Sequence, residues 1–163
     1  MSESSSLKTF MVFKLGSQTF GFDAEFLWEV ARQVTVTEVP QSSDFLTGVT
    51  QLHGKVVPVV DLAGLLEIPQ PSTSNAQGFV VVTVSSKTSF LAGFLVHSVV
   101  GFVKIPVAEI KPPQTKPEGL YVPFLAGWAD WDSAPLYLLQ INKLVTSQAR
   151  GRHQNQPTVK AGG

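Results

Sequence analysis

A chain of 163 residues, 44% hydrophobic and 15% charged, holds enough apolar material for one compact unit or two very small ones sharing a core. It contains no cysteine, which excludes disulfides, thiolate metal sites and a cysteine nucleophile. Formal net charge is zero, but Arg150, Arg152 and Lys160 stand in a closing stretch without an acid, so the body is mildly acidic and offers no electrostatic footprint for nucleic acid. Eleven phenylalanines and recurring runs of valine tilt the expectation towards β structure. The opening MSESSSLK lacks the basic and apolar regions of a signal peptide. The most apolar stretch, FLAGFLVHSVVGFV (90–103), is shorter than the ~18 residues of a membrane span and is interrupted by His97. These features predict a protein in solution with no membrane insertion, and the lack of cysteine is compatible with a reducing cytoplasm.

Residues 1–7 are serine-rich and 149–163 are polar with Gly and Pro, and both read as disordered tails around a domain spanning 8–148. TFMVFKL (9–15) and QTFGFD (18–23) read as strands joined by Gly16-Ser17, where glycine at the first central position signals a type II′ hairpin. AEFLWEVARQ (24–33) reads as a helical turn leading into a strand, TVTEVP (35–40) as an extended run ending at proline, and SSDFL (42–46) as a capped helical turn. GVTQLH (48–53) and KVVPVVDL (55–62) read as a hairpin with His53-Gly54 at its tip. Pro58, which has no N–H to donate, is expected at a sheet edge.

LAGLLEI (62–68) reads as one short helix stopped by Pro69, and the loop 70–78 as the boundary between two halves. The second half repeats the β habit in 78–86, 88–98, 99–106, 119–129 and 134–141, with a closing helix at 142–148. Each half is too small for a self-sufficient core, so two small barrels packed through apolar faces are expected.

Candidate chemistry is thin. His53, His97 and His153 have no partner at metal-ligand spacing, and no metal is expected. His97, in an otherwise apolar strand, reads as a partly buried histidine with one hydrogen-bonded nitrogen. Asp130 and Asp132, in WADWDSAP, are a close carboxylate pair and would be the basis of an enzyme or small-ligand reading. Asp, Ser and Pro between two strand-like runs is, however, turn chemistry. Asp61, just before LAGLL, reads as a helix cap. No phosphate-cradling loop, dinucleotide fingerprint or nucleophile elbow occurs, so neither catalytic residues nor a cofactor are expected.

The stretch FLTGVTQLHGKVVPVVDLAGLL (45–66) resembles the signature of the CheW-like coupling proteins of bacterial chemotaxis and twitching systems, G-V-x-N-L-R-G-x-(V/I)-(V/I)-P-(V/I)-(V/I)-D-L followed by paired leucines. FKLGSQTFGFD (13–23), LWEV (27–30), TEVP (37–40), FLAGFLVHSVVGFV (90–103), IKPPQ (110–114) and LYLLQINKLV (136–145) resemble further family elements in order, over about residues 8–147. Three positions depart. Family arginine is His53, which exchanges a fork that is always charged for an imidazole. Family aspartates are His97 and Gln140, and these lost charges are expected at a contact surface.

The resemblance implies a mainly β fold of two five-stranded, SH3-like barrels with short helices. It implies a non-enzymatic adaptor that couples a methyl-accepting receptor, through its cytoplasmic helices, to a CheA-type histidine kinase in chemotaxis, phototaxis or type IV pilus motility. Carried over by position, it implies partner contacts at Leu27, Glu29, Val30, Gly48, Leu52, His53 and Gly54. A small-ligand-binding β-barrel is the alternative.

Overall fold

The computed structural model describes residues 6–32, 35–38, 46–68, 79–84 (backbone), 91–113 and 124–144. The strands are β1 (Leu7–Leu15), β2 (Gln18–Asp23), β3 (Leu27–Arg32), β4 (Leu46–Leu52), β5 (Lys55–Asp61), β6 (Phe79–Val84), β7 (Leu91–Val96), β8 (Ser98–Pro106), β9 (Leu125–Trp131) and β10 (Ala134–Leu139). A short helix α1 (Leu62–Leu65) follows β5, and a helical turn, α2 (141–144), follows β10. The expected tail at 149–163 and residues 42–45 of the helical turn expected at 42–46 lie outside the described residues; Leu46 already belongs to β4, and β1 begins at Leu7.

Two five-stranded sheets form, in the orders β8-β1-β2-β10-β9 and β3-β6-β7-β5-β4. Each closes on itself through the backbone just beyond one edge strand. In the first, barrel 1, Lys111 after β8 exchanges both backbone hydrogen bonds with Trp128 of β9. In the second, barrel 2, Thr37 after β3 does the same with Val49 of β4. These closing segments act as straps. The mainly β, two-barrel architecture expected from the sequence is therefore present.

The strands are not shared out at 70–78, however. Barrel 2 runs from β3 to β7, while barrel 1 takes β1 and β2 from one end of the chain and β8 to β10 from the other. The chain leaves barrel 1 through a single 3-10 turn at Ala24–Phe26, capped by Asp23 accepting from the Glu25 N–H at 3.1 Å, and returns through one residue, His97. The parallel pairing of β2 with β10, Phe20 opposite Tyr137, joins the two ends. Local turn signals carry no information about such a pairing, so a boundary inferred from them falls in the wrong place.

Side-chain alternation distributes the apolar residues among three clusters. On β1, Phe10 and Val12 point into barrel 1, where they meet Ile105, Ala129, Leu136 and Leu138. Met11, Phe13 and Leu15 point out of barrel 1 and join Phe20, Phe22, Val60, Leu62, Leu66, Phe94, Val96, Tyr137 and Leu139 in the largest cluster, which lies between the barrels. Val57 and Val59 fill barrel 2. β1 and β2 are buried on both faces over Met11–Phe13 and Thr19–Phe22, and such strands read as continuous apolar runs rather than alternating ones. The shared cluster is aromatic: Phe13 stands 6.3 Å from Phe20 and 6.1 Å from Phe22, and Phe20 5.6 Å from Tyr137.

Pro58 is not on an edge strand, because β5 lies between β7 and β4. Val49, its partner on β4, directs both backbone groups to Thr37, so Val49 and Pro58 form a pair without mutual hydrogen bonds. The proline nitrogen thus faces the β7 side, where pairing starts only at Val59. A missing N–H costs nothing at that point.

Candidate functional site

The hairpin β4–β5 turns at His53 and Gly54, with φ of 52° and 78°. Two successive residues at positive φ make the type I′ turn that matches strand twist. The tip therefore projects from barrel 2 as expected, but it is not isolated. The β3–β6 register shifts between Leu27 and Glu29, leaving Trp28 as the extra residue of a bulge. This re-aims β3 so that both Trp28 and Glu29 reach the tip. His53 Nε2–H donates to Glu29 Oε1 at 2.5 Å, and the imidazole stands edge-on to Trp28 with centroids 5.6 Å apart. His53 is 65% exposed and Glu29 29%.

Two of the seven residues proposed for partner contact, Glu29 and His53, are thus joined across 24 positions of sequence. Gly54 completes their turn. Leu27 and Val30 are partly buried against the shared core, and Leu52 packs on the barrel 2 interior. Gly48 sits beneath the strap: a Cβ there would fall 2.1 Å from the Thr37 carbonyl oxygen. It is a close-approach glycine that lets barrel 2 close. Trp28 carries no motif and was not singled out by the sequence; the bulge that places it is visible only in the sheet register.

The other departures from the family pattern also have local explanations. His97 Nδ1 accepts from the Gly16 N–H at 2.6 Å, and its own N–H donates to the Lys14 carbonyl at 3.0 Å. An aspartate could accept from Gly16 in the same way, so this position serves the barrel junction. Gln140 donates from Nε2 to the Leu125 carbonyl at 2.9 Å, and its own carbonyl accepts from Lys143 and Leu144. It anchors the start of α2, as Asp61 caps α1 by accepting from the Gly64 N–H at 3.2 Å.

Asp132 and Ser133, with φ of 54° and 66°, form the tip of the β9–β10 hairpin, and Asp130 pairs with Lys111 at 2.9 Å. Lys111 also lies 4.3 Å over the Trp128 ring. The two carboxylates are thus a turn residue and half of an ion pair. A cavity of about 360 Å³ opens at one end of barrel 1, floored by Phe10, Phe26, Ile110 and Leu138. Its Lys8 and Asp23 are paired with each other at 3.1 Å. Among the described residues no group of three or more His, Asp and Glu is placed to hold a metal ion, and no helix is long and apolar enough to cross a membrane.

A second exposed feature lies on barrel 1. Strand β8 pairs only with β1 among the described strands, and its bulge at Val100, next to Gly101 at φ 124°, turns apolar side chains outward. Phe102 is 64% exposed, with Val100 and Leu7 of the neighbouring strand also open to solvent. The run VVGFVKI is apolar on both faces although β8 is an edge strand, and this is the sequence signal that would have found it.

The CheW-like domain model matches residues 9–149. The chain is similar to the chemotaxis protein CheW of Klebsiella aerogenes, 27% identical over 85% of this chain and 82% of that protein. It is also similar to protein FrzA of Myxococcus xanthus, 35% identical over 64% of this chain and 63% of that protein. Among solved structures it resembles the scaffolding protein TtCheW of Thermoanaerobacter tengcongensis, with a TM-score of 0.74 and 25% identity over 83% of this chain and 90% of that one. With its two closed barrels and shared aromatic core, this chain belongs to the CheW-like family of coupling adaptors in chemotaxis and related taxis signalling.

Proposed function

We propose that this chain couples a methyl-accepting receptor to a CheA-type histidine kinase in the cytoplasm, with one partner surface on each barrel. The observation that carries this reading is the pair of exposed features of different chemistry on a single buried core. The rim formed by Glu29, His53 and Gly54 is polar and hydrogen-bonded, and it suits a protein partner that can meet a carboxylate–imidazole pair. Behind that rim, Leu27 and Val30 pack on the shared core, Leu52 on the barrel 2 interior, and Gly48 lies under the strap. We assign the kinase to this surface.

The exposed apolar side chains of Val100 and Phe102 on the edge strand β8 suit the packing of receptor helices. Exposed aromatic anchors are the residues that dominate such contacts. Because the large shared core holds both barrels, each partner would be fixed in orientation relative to the other, which is what coupling by contact requires.

The test is a titration of the full chain against the regulatory domain of a cognate CheA-type kinase and, separately, against a receptor's cytoplasmic fragment. Phe102→Ser should weaken receptor binding about tenfold or more and leave kinase binding unchanged. His53→Arg should change the preference among kinases. If the chain binds no CheA-type kinase of its own cell, the reading fails.

A further inference from the structure

The β4–β5 hairpin outruns its neighbours before it reaches the tip at His53. Leu52 and Lys55 flank the two-residue turn as a hydrogen-bonded pair, so Gln51 and Val56 form the next pair without mutual hydrogen bonds. Gln51 therefore turns its backbone N–H and C=O away from β5, into the line of the strap. Val49 does the same, and there both groups are taken by Thr37 at 2.8 Å. In continued register Thr35 would stand opposite Gln51. Instead Thr50, on the face that Val57 turns into barrel 2, donates from Oγ1 to the Thr35 carbonyl at 2.8 Å, and the strap leaves the ladder inwards. A groove of about 510 Å³ opens at this point, with Thr35 and Thr37 on one wall and Gln51 and Val56 on the other. Among the described residues nothing pairs with the Gln51 backbone on this side.

Given the kinase at the tip of barrel 2, on which reading this rests, we propose that the groove receives an uncharged, extended segment of the kinase, which pairs its backbone with Gln51 in the line of the strap. An N–H and a C=O of one residue pointing the same way are matched by one residue of another extended chain, as Thr37 already matches Val49. The walls carry hydroxyl, amide and valine side chains and no charge, so a charged side chain would be buried there without a counter-charge. Val56, 61% exposed, offers an apolar contact to a residue of that segment.

The opposite edge of the hairpin is closed to such pairing, because Pro58 has no N–H and β7 takes over at Val59. Gln51 lies just before the tip on β4, so the groove continues the surface that Glu29 and His53 begin. Backbone pairing would then supply affinity that depends little on side chains, while the rim reads the side chains of the partner.

Amide exchange of the full chain, read by NMR alone and in complex with the regulatory domain of its own CheA-type kinase, tests this. The Gln51 N–H should exchange at close to the unprotected rate in the free chain and at least about tenfold more slowly in the complex. A protected Gln51 in the free chain, or no slowing in the complex, overturns the proposal. Mere cover by the partner would also slow exchange, so the bond itself is read as a scalar coupling from the Gln51 nitrogen to a carbonyl carbon of the kinase; its absence overturns the proposal too. Gln51→Pro removes the donor at a position that makes no hydrogen bond to β5, as Pro58 makes none to β4, and should weaken kinase binding about tenfold. Unchanged affinity overturns the pairing. Should that variant not fold, the two measurements on the natural chain decide. If the natural chain binds no CheA-type kinase, the functional reading fails and this one with it; if it binds and Gln51 stays unpaired, only this one fails.

Discussion

Barrels 1 and 2 are built on one plan. β8, strap, β9, β10, α2, β1 and β2 correspond in pairing and order to β3, strap, β4, β5, α1, β6 and β7. Even the irregularities repeat. A bulge at Val100 on β8 matches the one at Trp28 on β3, and a register shift precedes Gly127 on β9 as it precedes Gly48 on β4. Each of those glycines lies under its strap, and each hairpin ends in two residues at positive φ. The difference lies in the side chains placed on this common plan. At the tip of barrel 2, His53 finds Glu29; the position on β8 that corresponds to Glu29 is Gly101, which has no side chain to offer Asp132. On the neighbouring corresponding pair, Val30 is half-buried and Phe102 is exposed. One plan thus displays a polar rim on one barrel and exposed apolar side chains on the other.

The straps give the largest expected effects. Gly48→Ala should cost more than about 3 kcal/mol, because the new methyl would overlap backbone of the strap that has no room to move. Gly127→Ala places a Cβ 2.7 Å from the Lys111 carbonyl and 2.9 Å from an Ile110 methyl, and should cost about 1–3 kcal/mol. Chemical denaturation of the two variants measures both; equal losses would mean the straps are equally tight and this contrast is wrong.

At the tips the comparison runs in opposite directions. Gly54→Val should destabilise by about 1–3 kcal/mol through backbone conformation alone, since a Cβ there would meet nothing within 4 Å. Ser133→Gly should stabilise by about 0.5–1 kcal/mol, because Ser133 holds φ 66° at the matching position. Thermal melts of both variants provide the check, and a loss on Ser133→Gly would show that its side chain holds the turn.

A gain of similar size is expected of Glu67→Gly. Glu67, at φ 58°, occupies the left-handed position after α1, where the Ile68 N–H reaches back to the Ala63 carbonyl and the Glu67 N–H to Gly64. Smallest of all, changing Asp130 and Asp132 together to Asn should move stability by less than about 0.5 kcal/mol and leave coupling intact, since the Lys111–Asp130 pair is solvent-exposed. A loss of coupling in that double variant would restore a role for the carboxylates.

Much of this was legible in the sequence because it is local. Gly16-Ser17 and His53-Gly54 announce hairpins through glycine's tolerance of positive φ, and both turns form with glycine at the expected position. Asp61 before LAGLL announces a cap, and it caps. Glu29 and His53 could each be named from position within a recognisable pattern. That they touch could not be read, because their meeting depends on a one-residue bulge at Trp28 and on closure of a sheet whose edges are far apart in sequence. The edge placement expected for Pro58 failed for the same kind of reason: missing N–H groups are tolerated wherever a ladder has not begun, and where ladders begin is a tertiary matter.

Composition, periodicity and turn residues were sufficient for two small β units with a common apolar face, because burial on both sides of a strand leaves its mark residue by residue. They were also sufficient for the family, whose marks are short and collinear. Which strands share a barrel was settled only when β2 met β10 and the chain crossed at 24–26 and again at His97. Parallel partners more than a hundred residues apart have no turn between them to record the pairing, so only the ladder and the packing of the folded chain fix it. The roles of His97 and Gln140 followed from that packing: residues that looked like lost surface charges are hydrogen-bonding parts of the framework.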